Sequence, residues 1–359
     1  MRTIKRAIDF LFKEIRNIRS KKIVSIILIA GLSGFIVASG YAADEVFNWR
    51  AQTYAVPGSV GFKAADAALN DLKKLTNGRI DIKLYGVGTL VGAFDQLDGQ
   101  TKGIFECGFN APAYYAGKDA AFASLFSLIG VWDNTSQVRV WVYHFGGREI
   151  AEELYSKYNV QYIGPAMISA EPIMSKKPLR SLDDFKGIKI RTPGGLTTML
   201  FKKLGASPVA LAGGELYSGL DTGVVDAAEF VTLAEDWDIG LHEVTKYVLY
   251  PSFHGPIANC DFTVSKKAWN KLPDDLKQAM YTWCYELDAK YDYMSVAESI
   301  ITLKKMTDYG LVHTKLSSED MKKAKEISTE IAKEWRKKSP MAEKMINSIL
   351  DYLEKAGEL

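Results

Sequence analysis

Cysteine and histidine are scarce in these 359 residues, with three of one and four of the other. Cys107, Cys260 and Cys284 allow at most one disulfide, show no metal-knuckle spacing and read as buried free thiols. None stands at residues 40–44, which removes a lipid-anchored cysteine of the usual kind. His144, His242, His254 and His313 are scattered, with no second histidine or cysteine beside any of them, and read as surface or packing residues. No G-x-S-x-G, H-E-x-x-H or phosphate-loop pattern is present, which weakens hydrolase and nucleotide readings. Gly86, Gly88 and Gly92 miss the dinucleotide fingerprint by one residue and read as a glycine-rich turn. A strong charge bias is missing too. Against 45 basic residues stand 43 acidic ones, for a net charge of +2. Residues 1–42 hold eight of the bases and two of the acids, so 37 bases and 41 acids remain beyond them. The slight basicity belongs to the N-terminal segment, and a nucleic-acid partner loses its electrostatic support.

What is present is ordinary globular composition, 47% hydrophobic and 25% charged, in a chain long enough for two domains. Residues 23–43 carry no charged side chain, follow Lys21-Lys22, and end in small residues before Asp44. That order matches a secretory signal peptide. An uncleaved membrane anchor is the alternative, since 21 residues at helical rise span about 31 Å, roughly a bilayer's hydrocarbon core. The basic flank places the rest of the chain across the membrane from the cytoplasm in either case, exported or tethered.

Beyond Phe47, short apolar runs alternate with amphipathic stretches. Strands are expected at 49–55, 80–85, 105–109, 160–167, 188–192 and 227–231, with helices at 62–75 and 139–157. Such alternation predicts an α/β fold with largely parallel sheets. After Ser265 two long helices are expected, over 266–305 and 318–355, so that two α/β lobes precede a helical tail.

The densest signal lies in 174–231. Arg191 ends a predicted strand and is followed by Thr-Pro-Gly-Gly, a turn into a helix. Ligands of open parallel sheets bind at the carboxyl ends of strands, and a guanidinium there offers a rigid fork for a carboxylate. A surface salt bridge is the plainer alternative for Arg191.

The order S-K-K-P, D-F-K-G-I-K-I-R-T-P-G-G, L-A-G-G-E-L-Y and G-V-V-D-A-A-E-F-V resembles the solute-binding proteins of tripartite ATP-independent periplasmic (TRAP) transporters. It is similar to the branch that binds 2-hydroxy or 2-oxo monocarboxylates with a metal ion. The resemblance runs from about Trp49 to Pro273 and includes LTNGRIDIKLYGVGTLVGAFDQLD, the N-x-x-x-Y-Y-A-G segment and DFTVSKKAWNKLP.

It implies a two-lobed periplasmic binding protein fold with a ligand cleft between lobes and long C-terminal helices. Lobe I would span 44–166, with part of 254–290 returning to it, lobe II 167–253, and connecting and bracing helices 254–359. It implies an extracytoplasmic receptor, not an enzyme, that delivers a lactate- or pyruvate-like acid to the small and large membrane subunits of a permease, with a homodimer as an option. Arg191 would hold the carboxylate, and Glu229 would ligate the metal beside the Phe230 carbonyl, whose side chain matters little. Asn110, Tyr114 and Tyr115 would line the other lobe's face, or serve as loop packing, and Trp237 would pack beside the ligand or in the core. Asp236 and Asp238 read as solvated helix charges.

Where the branch often has a neutral amide, this chain has Glu171. With Glu171 in the cleft, Arg191, Glu171 and Glu229 sum to −1 and a bound monocarboxylate brings −2, which favours a divalent, oxygen-seeking ion such as Ca²⁺ over Na⁺. Glu171 facing solvent, or pairing with a cationic group on the ligand, remains open. Two rival classes stand beside the receptor: an exported metal-dependent enzyme acting on a 2-oxo acid, and a ligand-sensing protein for a membrane sensor. N-terminal sequencing of the exported protein is expected to begin at Ala43 or Asp44. Recovery of the intact leader in the membrane fraction would establish the anchor instead.

Overall fold

The computed structural model describes residues 45–125, 128–255, 257–258 and 260–359, so the leader lies outside the described residues. Strand β1 (Phe47–Thr53) runs into helix α1 (Val60–Leu75) and returns as β2 (Ile80–Tyr85), parallel to β1. Ala64, Ala65, Ala68, Leu69 and Leu72 recur at three and four along α1 and bury one face, while the Ser59 hydroxyl caps its first turn by accepting from the Phe62 amide. Strands β3 (Cys107–Asn110) and β4 (Val160–Pro165) complete the N-terminal share of a first sheet. A late strand, β12 (Asp261–Ser265), slots between β3 and β4 antiparallel to both, giving the order β2-β1-β3-β12-β4.

The second sheet is built from β6 (Ile173–Ser175), β7 (Lys189–Thr192), β8 (Ser207–Ala210), β9 (Ala227–Glu229), β10 (Tyr247–Leu249) and β13 (Val312–Thr314), in the order β13-β10-β6-β9-β7-β8. Strands β7, β8 and β9 are mutually parallel where they pair, whereas β6 runs antiparallel to β9 and β10. The region beyond 254, expected to brace and connect, therefore supplies a strand to each sheet as well as helices. Between the sheets, β5 (Ile168–Ser169) pairs antiparallel with β11 (Ile257–Ala258). Both are crossover strands: β4-β5-β6 leads from the first sheet to the second, and β10-β11-β12 leads back.

Three expected helices are interrupted, each for a local reason. The stretch 139–157 is two helices, α3 (Thr135–His144) and α4 (Gly147–Ser156), because Gly146 takes a left-handed φ of 82°. Pro273 separates the short helix at Lys266–Trp269 from the 36-residue helix α10 (Asp274–Tyr309). Ser339 and Pro340 divide α11 (Ser318–Trp335) from α12 (Pro340–Lys355). Among the described residues no helix is long and apolar enough to cross a membrane. Cys107, Cys260 and Cys284 are free and buried, as expected.

One buried polar network ties β3 to β12. Asp261 accepts from Asn110 Nδ2 at 2.9 Å on one oxygen and from the Tyr155 hydroxyl at 2.7 Å on the other. Burial pushes its carboxyl up to about 7 despite these two donors. An acid raised in the folded state holds its proton there after the unfolded chain has lost it, so its contribution to stability falls as pH rises from about 4 to about 7 and is flat above. Urea midpoints of the wild type and Asp261→Asn should thus diverge across this window, with the wild type losing a few kcal/mol relative to the variant. A pH-independent difference would refute the buried, neutral Asp261.

Candidate ligand and metal site

Arg191 sits on β7 with neighbours on both sides, opposite Val209 of β8 and Ala228 of β9. Its guanidinium is only 2% exposed and is held from several directions. Nε donates to the Leu211 carbonyl at 2.9 Å, and Nη1 donates to the Glu229 carbonyl at 2.6 Å and to Glu229 Oε1 at 3.3 Å. Nη2 donates to the Tyr114 hydroxyl at 3.1 Å, a contact between the second sheet's β7 and the 3-10 turn that follows β3 of the first. A carboxylate gripped by two guanidinium hydrogens must therefore take over the long Glu229 Oε1 contact or displace Tyr114. The Thr192–Gly195 turn leads into helix α5 (Gly195–Lys203), and both glycines have positive φ, 113° and 62°. A Cβ on Gly195 would also meet the Ala123 methyl at 2.9 Å, so the turn packs against Ala123 and Ala116 only without a side chain.

Glu229 ends β9, opposite Ile173 of β6. The chain then places the Phe230 ring 5.4 Å from the Arg191 guanidinium carbon. Gly213 approaches that ring so closely that an added Cβ would stand 2.6 Å from it. The Phe230 side chain, which matters little to the expected ligation by its carbonyl, thus forms one wall of the arginine's enclosure.

Glu171 follows β5 and His254 precedes β11, so both crossovers deliver a side chain here. The Glu171 amide bonds the Gly255 carbonyl at 2.7 Å and locks the two segments together. His254 Nε2 lies 3.1 Å from Glu171 Oε2 and 3.8 Å from Glu229 Oε2. Glu171, Glu229 and His254 each bring a ligand atom within 4.8 Å of the others. Two carboxylates and an imidazole converging in a buried place fit the donor set of a cation site.

The electrostatics follow from this crowding. Burial and the neighbouring Glu229 raise Glu171 to about 7, against the pull of His254 and Arg191. Burial also works on Glu229, but Arg191 and His254 outweigh it and hold that carboxylate below its ordinary value. The two carboxylates overcome the desolvation of His254 and raise it to about 9. The expected site charge of −1 omitted this residue. With both ring nitrogens protonated, His254 brings the four groups to neutrality before any ligand enters.

Tyr114, Glu171, Arg191, Glu229 and Phe230 line one cavity of about 60 Å³, together with Tyr54, Ile129, Thr197 and Cys260. Asn110, Tyr115 and Trp237 do not line it. Asn110 accepts from Gln96 and Tyr115 and donates to Asp261 and Thr263, so its amide is spent inside the first sheet. Tyr115 donates to it and is buried, turned away from its neighbour Tyr114. Trp237 belongs to α7 (Leu233–Asp238) and stacks on His242 at 3.6 Å, with Lys305 over the ring. Asp236, read as solvated, is fully buried because α7 docks against α10 and α1. Residue-level reasoning missed His254 and Tyr54. His254 stands 83 positions from Glu171 and no spacing rule links them.

A family model described as bacterial extracellular solute-binding protein, family 7, matches residues 52–338. The chain belongs to that family. Family 7 proteins are the periplasmic solute-binding components of TRAP transporters, and the two-sheet architecture with long C-terminal helices is theirs. The chain is 32% identical over 290 residues, 80% of its length and 79% of the relative's, to a monocarboxylate 2-oxoacid-binding periplasmic protein of a Nostoc species. Among solved structures it resembles a TRAP solute-binding protein of Colwellia psychrerythraea with bound calcium and pyruvate, at 25% identity and TM-score 0.76 over 87% of this chain and 95% of that one. A Pseudoalteromonas atlantica protein with bound sodium and pyruvate matches equally well, with the same identity, coverage and TM-score.

Within this family 7 chain, Gly213→Ala should force Phe230 off the arginine and lower the unfolding free energy by about 1–3 kcal/mol. The double variant Gly213→Ala/Phe230→Leu should be more stable than Gly213→Ala alone, measured by denaturant titration. Additive losses would show that the two side chains do not press on one another.

Proposed function

We propose that this protein is the extracytoplasmic receptor of a TRAP transporter, capturing a 2-oxo or 2-hydroxy monocarboxylate of pyruvate or lactate size for the permease's membrane subunits. The observation that carries this reading is the buried Arg191, approached by Tyr114 from the turn after β3 in a small cavity. About 60 Å³ has room for roughly five waters, equivalent to a ligand of about half a dozen non-hydrogen atoms. Ala111, Ala113, Ile129 and Val231 supply an apolar wall for a short alkyl end. The Nostoc relative and the pyruvate-bound neighbours support the same ligand class.

Arg191 would hold the ligand's carboxylate, with Phe230 and the β-sheet backbone keeping the guanidinium in place. Glu229 and Glu171 would hold a divalent cation, with the Phe230 carbonyl as a further donor. Once bound, such an ion chelates the carboxylate and the adjacent 2-oxo or 2-hydroxy oxygen, which selects against simple fatty acids. The Tyr54 hydroxyl, which has no hydrogen-bond partner among the described residues beyond the Cys260 thiol beside it, would add a polar contact from the first lobe. Closing the lobes about the β5–β11 crossovers couples capture to shape, since contacts from both lobes exist only when the cleft is shut.

Calorimetry of the ion- and ligand-stripped protein tests this with pyruvate, lactate, 2-oxoisovalerate, succinate and an amino acid, each with a divalent ion and again with chelator. Monocarboxylates should bind in the micromolar range or tighter and lose affinity with chelator. Arg191→Ala should cost about 2–5 kcal/mol, and Arg191→Lys should recover only part of that because a point charge cannot form the fork. Undiminished binding by both variants would sink the arginine's role. Equal affinity with chelator would remove the cation and keep the receptor. Product formation on prolonged incubation would reveal an enzyme instead.

A further inference from the structure

His254 is more than a neighbour of the two carboxylates, because its tautomer is dictated. The Ser252 hydroxyl donates its one proton to the Glu171 carbonyl at 2.6 Å. The same oxygen lies 2.9 Å from His254 Nδ1 and can only accept there, so Nδ1 is the nitrogen that carries hydrogen. With no ion bound, Nε2 carries the second proton, between Glu171 Oε2 and Glu229 Oε2. An ion that displaces that proton finds one nitrogen and two carboxylate oxygens already converging on it, the nitrogen on a fully buried ring. A ring whose other nitrogen donates into a hydrogen-bonded relay ending on a backbone carbonyl is the arrangement that orients metal-ligating histidines.

We propose that His254 Nε2 is a metal ligand of this site and that it shifts the site's preference from Ca²⁺ to ions that accept imidazole, such as Zn²⁺ and Co²⁺. The inference rests on the reading of Glu171 and Glu229 as cation ligands. Ca²⁺ and Na⁺ take oxygen donors, whereas an imidazole among carboxylates favours the later first-row divalent ions. Both crossovers then meet at one ion, Glu171 from the outgoing strand and His254 from the returning one.

The test is ion binding, read separately from ligand binding. The stripped protein is titrated calorimetrically with Zn²⁺, Co²⁺ and Ca²⁺, without carboxylate, and nitrogen ligation is read by electron paramagnetic resonance of the Cu²⁺-loaded protein. Zn²⁺ and Co²⁺ should bind at least about tenfold more tightly than Ca²⁺, with imidazole nitrogen coupling in the spectrum. His254→Gln should lower Zn²⁺ affinity by at least about tenfold more than it lowers Ca²⁺ affinity, and Ser252→Ala should cost about tenfold to a hundredfold in Zn²⁺ affinity. Ca²⁺ binding as tightly as Zn²⁺, or a spectrum without nitrogen coupling, would overturn the proposal. The receptor reading would survive that result if pyruvate still bound with Ca²⁺. Failure of every ion to bind, with pyruvate bound equally in chelator, would overturn both this proposal and the cation in the receptor reading.

Discussion

Everything at the site depends on keeping one guanidinium charged inside protein. Arg191 is almost wholly removed from water, and a buried unpaired charge is expensive enough to unfold a domain of this size. The fold answers with two carbonyls, a carboxylate, a phenol and an aromatic face, drawn from β9, the segment after β8 and the first lobe. These partners explain why sequence motifs that look unrelated occur together. Thr-Pro-Gly-Gly turns the chain immediately past the arginine, Leu-Ala-Gly-Gly supplies the Leu211 carbonyl and the side-chain-free Gly213, and Ala-Ala-Glu-Phe provides counter-charge and wall.

The second organising constraint is topological. The chain passes from the first sheet to the second through β5 and returns through β11, and the two strands are paired. Glu171 and His254 flank that pair and touch each other, while Ser252 and Gly255 bond back to the Glu171 backbone. Residues that bridge the lobes are thus also residues of the site. In the proposed cycle, occupation of the site and the angle between lobes are biased by the same atoms, which is what a receptor that signals its loaded state to a membrane partner requires.

Polar groups that serve the architecture sit only a few residues from those that line the cavity. Tyr114 and Tyr115 are adjacent, yet one hydroxyl meets Arg191 and the other meets Asn110 in the network that joins β3 to β12. Asn110 has both lobes of its amide satisfied by Gln96, Tyr115, Asp261 and Thr263, and such a saturated side chain has nothing left to offer a ligand. It holds the returning strand in register instead, and with it Cys260 at the cavity's edge.

The α/β class, strand 80–85 in full, the body of α1 and the place of Arg191 near a strand end were legible in the sequence, because periodicity and strand-end position are properties of contiguous residues. Glu229 and Tyr114, pointed to only by the family resemblance, line the same cavity as Arg191. Helix breaks at Gly146, Pro273 and Ser339-Pro340 were visible as letters but were overridden by the longer apolar rhythm around them. Which face a residue presents was not legible where neighbours diverge, as with Asn110, Tyr115 and Trp237. Buried Asp236 on a helix of charges escaped for the same reason, since only docking against α1 and α10 removes it from water. His254 is the sharpest case. Its sequence context says nothing of Glu171, and only the pairing of two crossover strands, far apart along the chain, brings the ring to the carboxylates and cancels the net negative charge that local reading had produced.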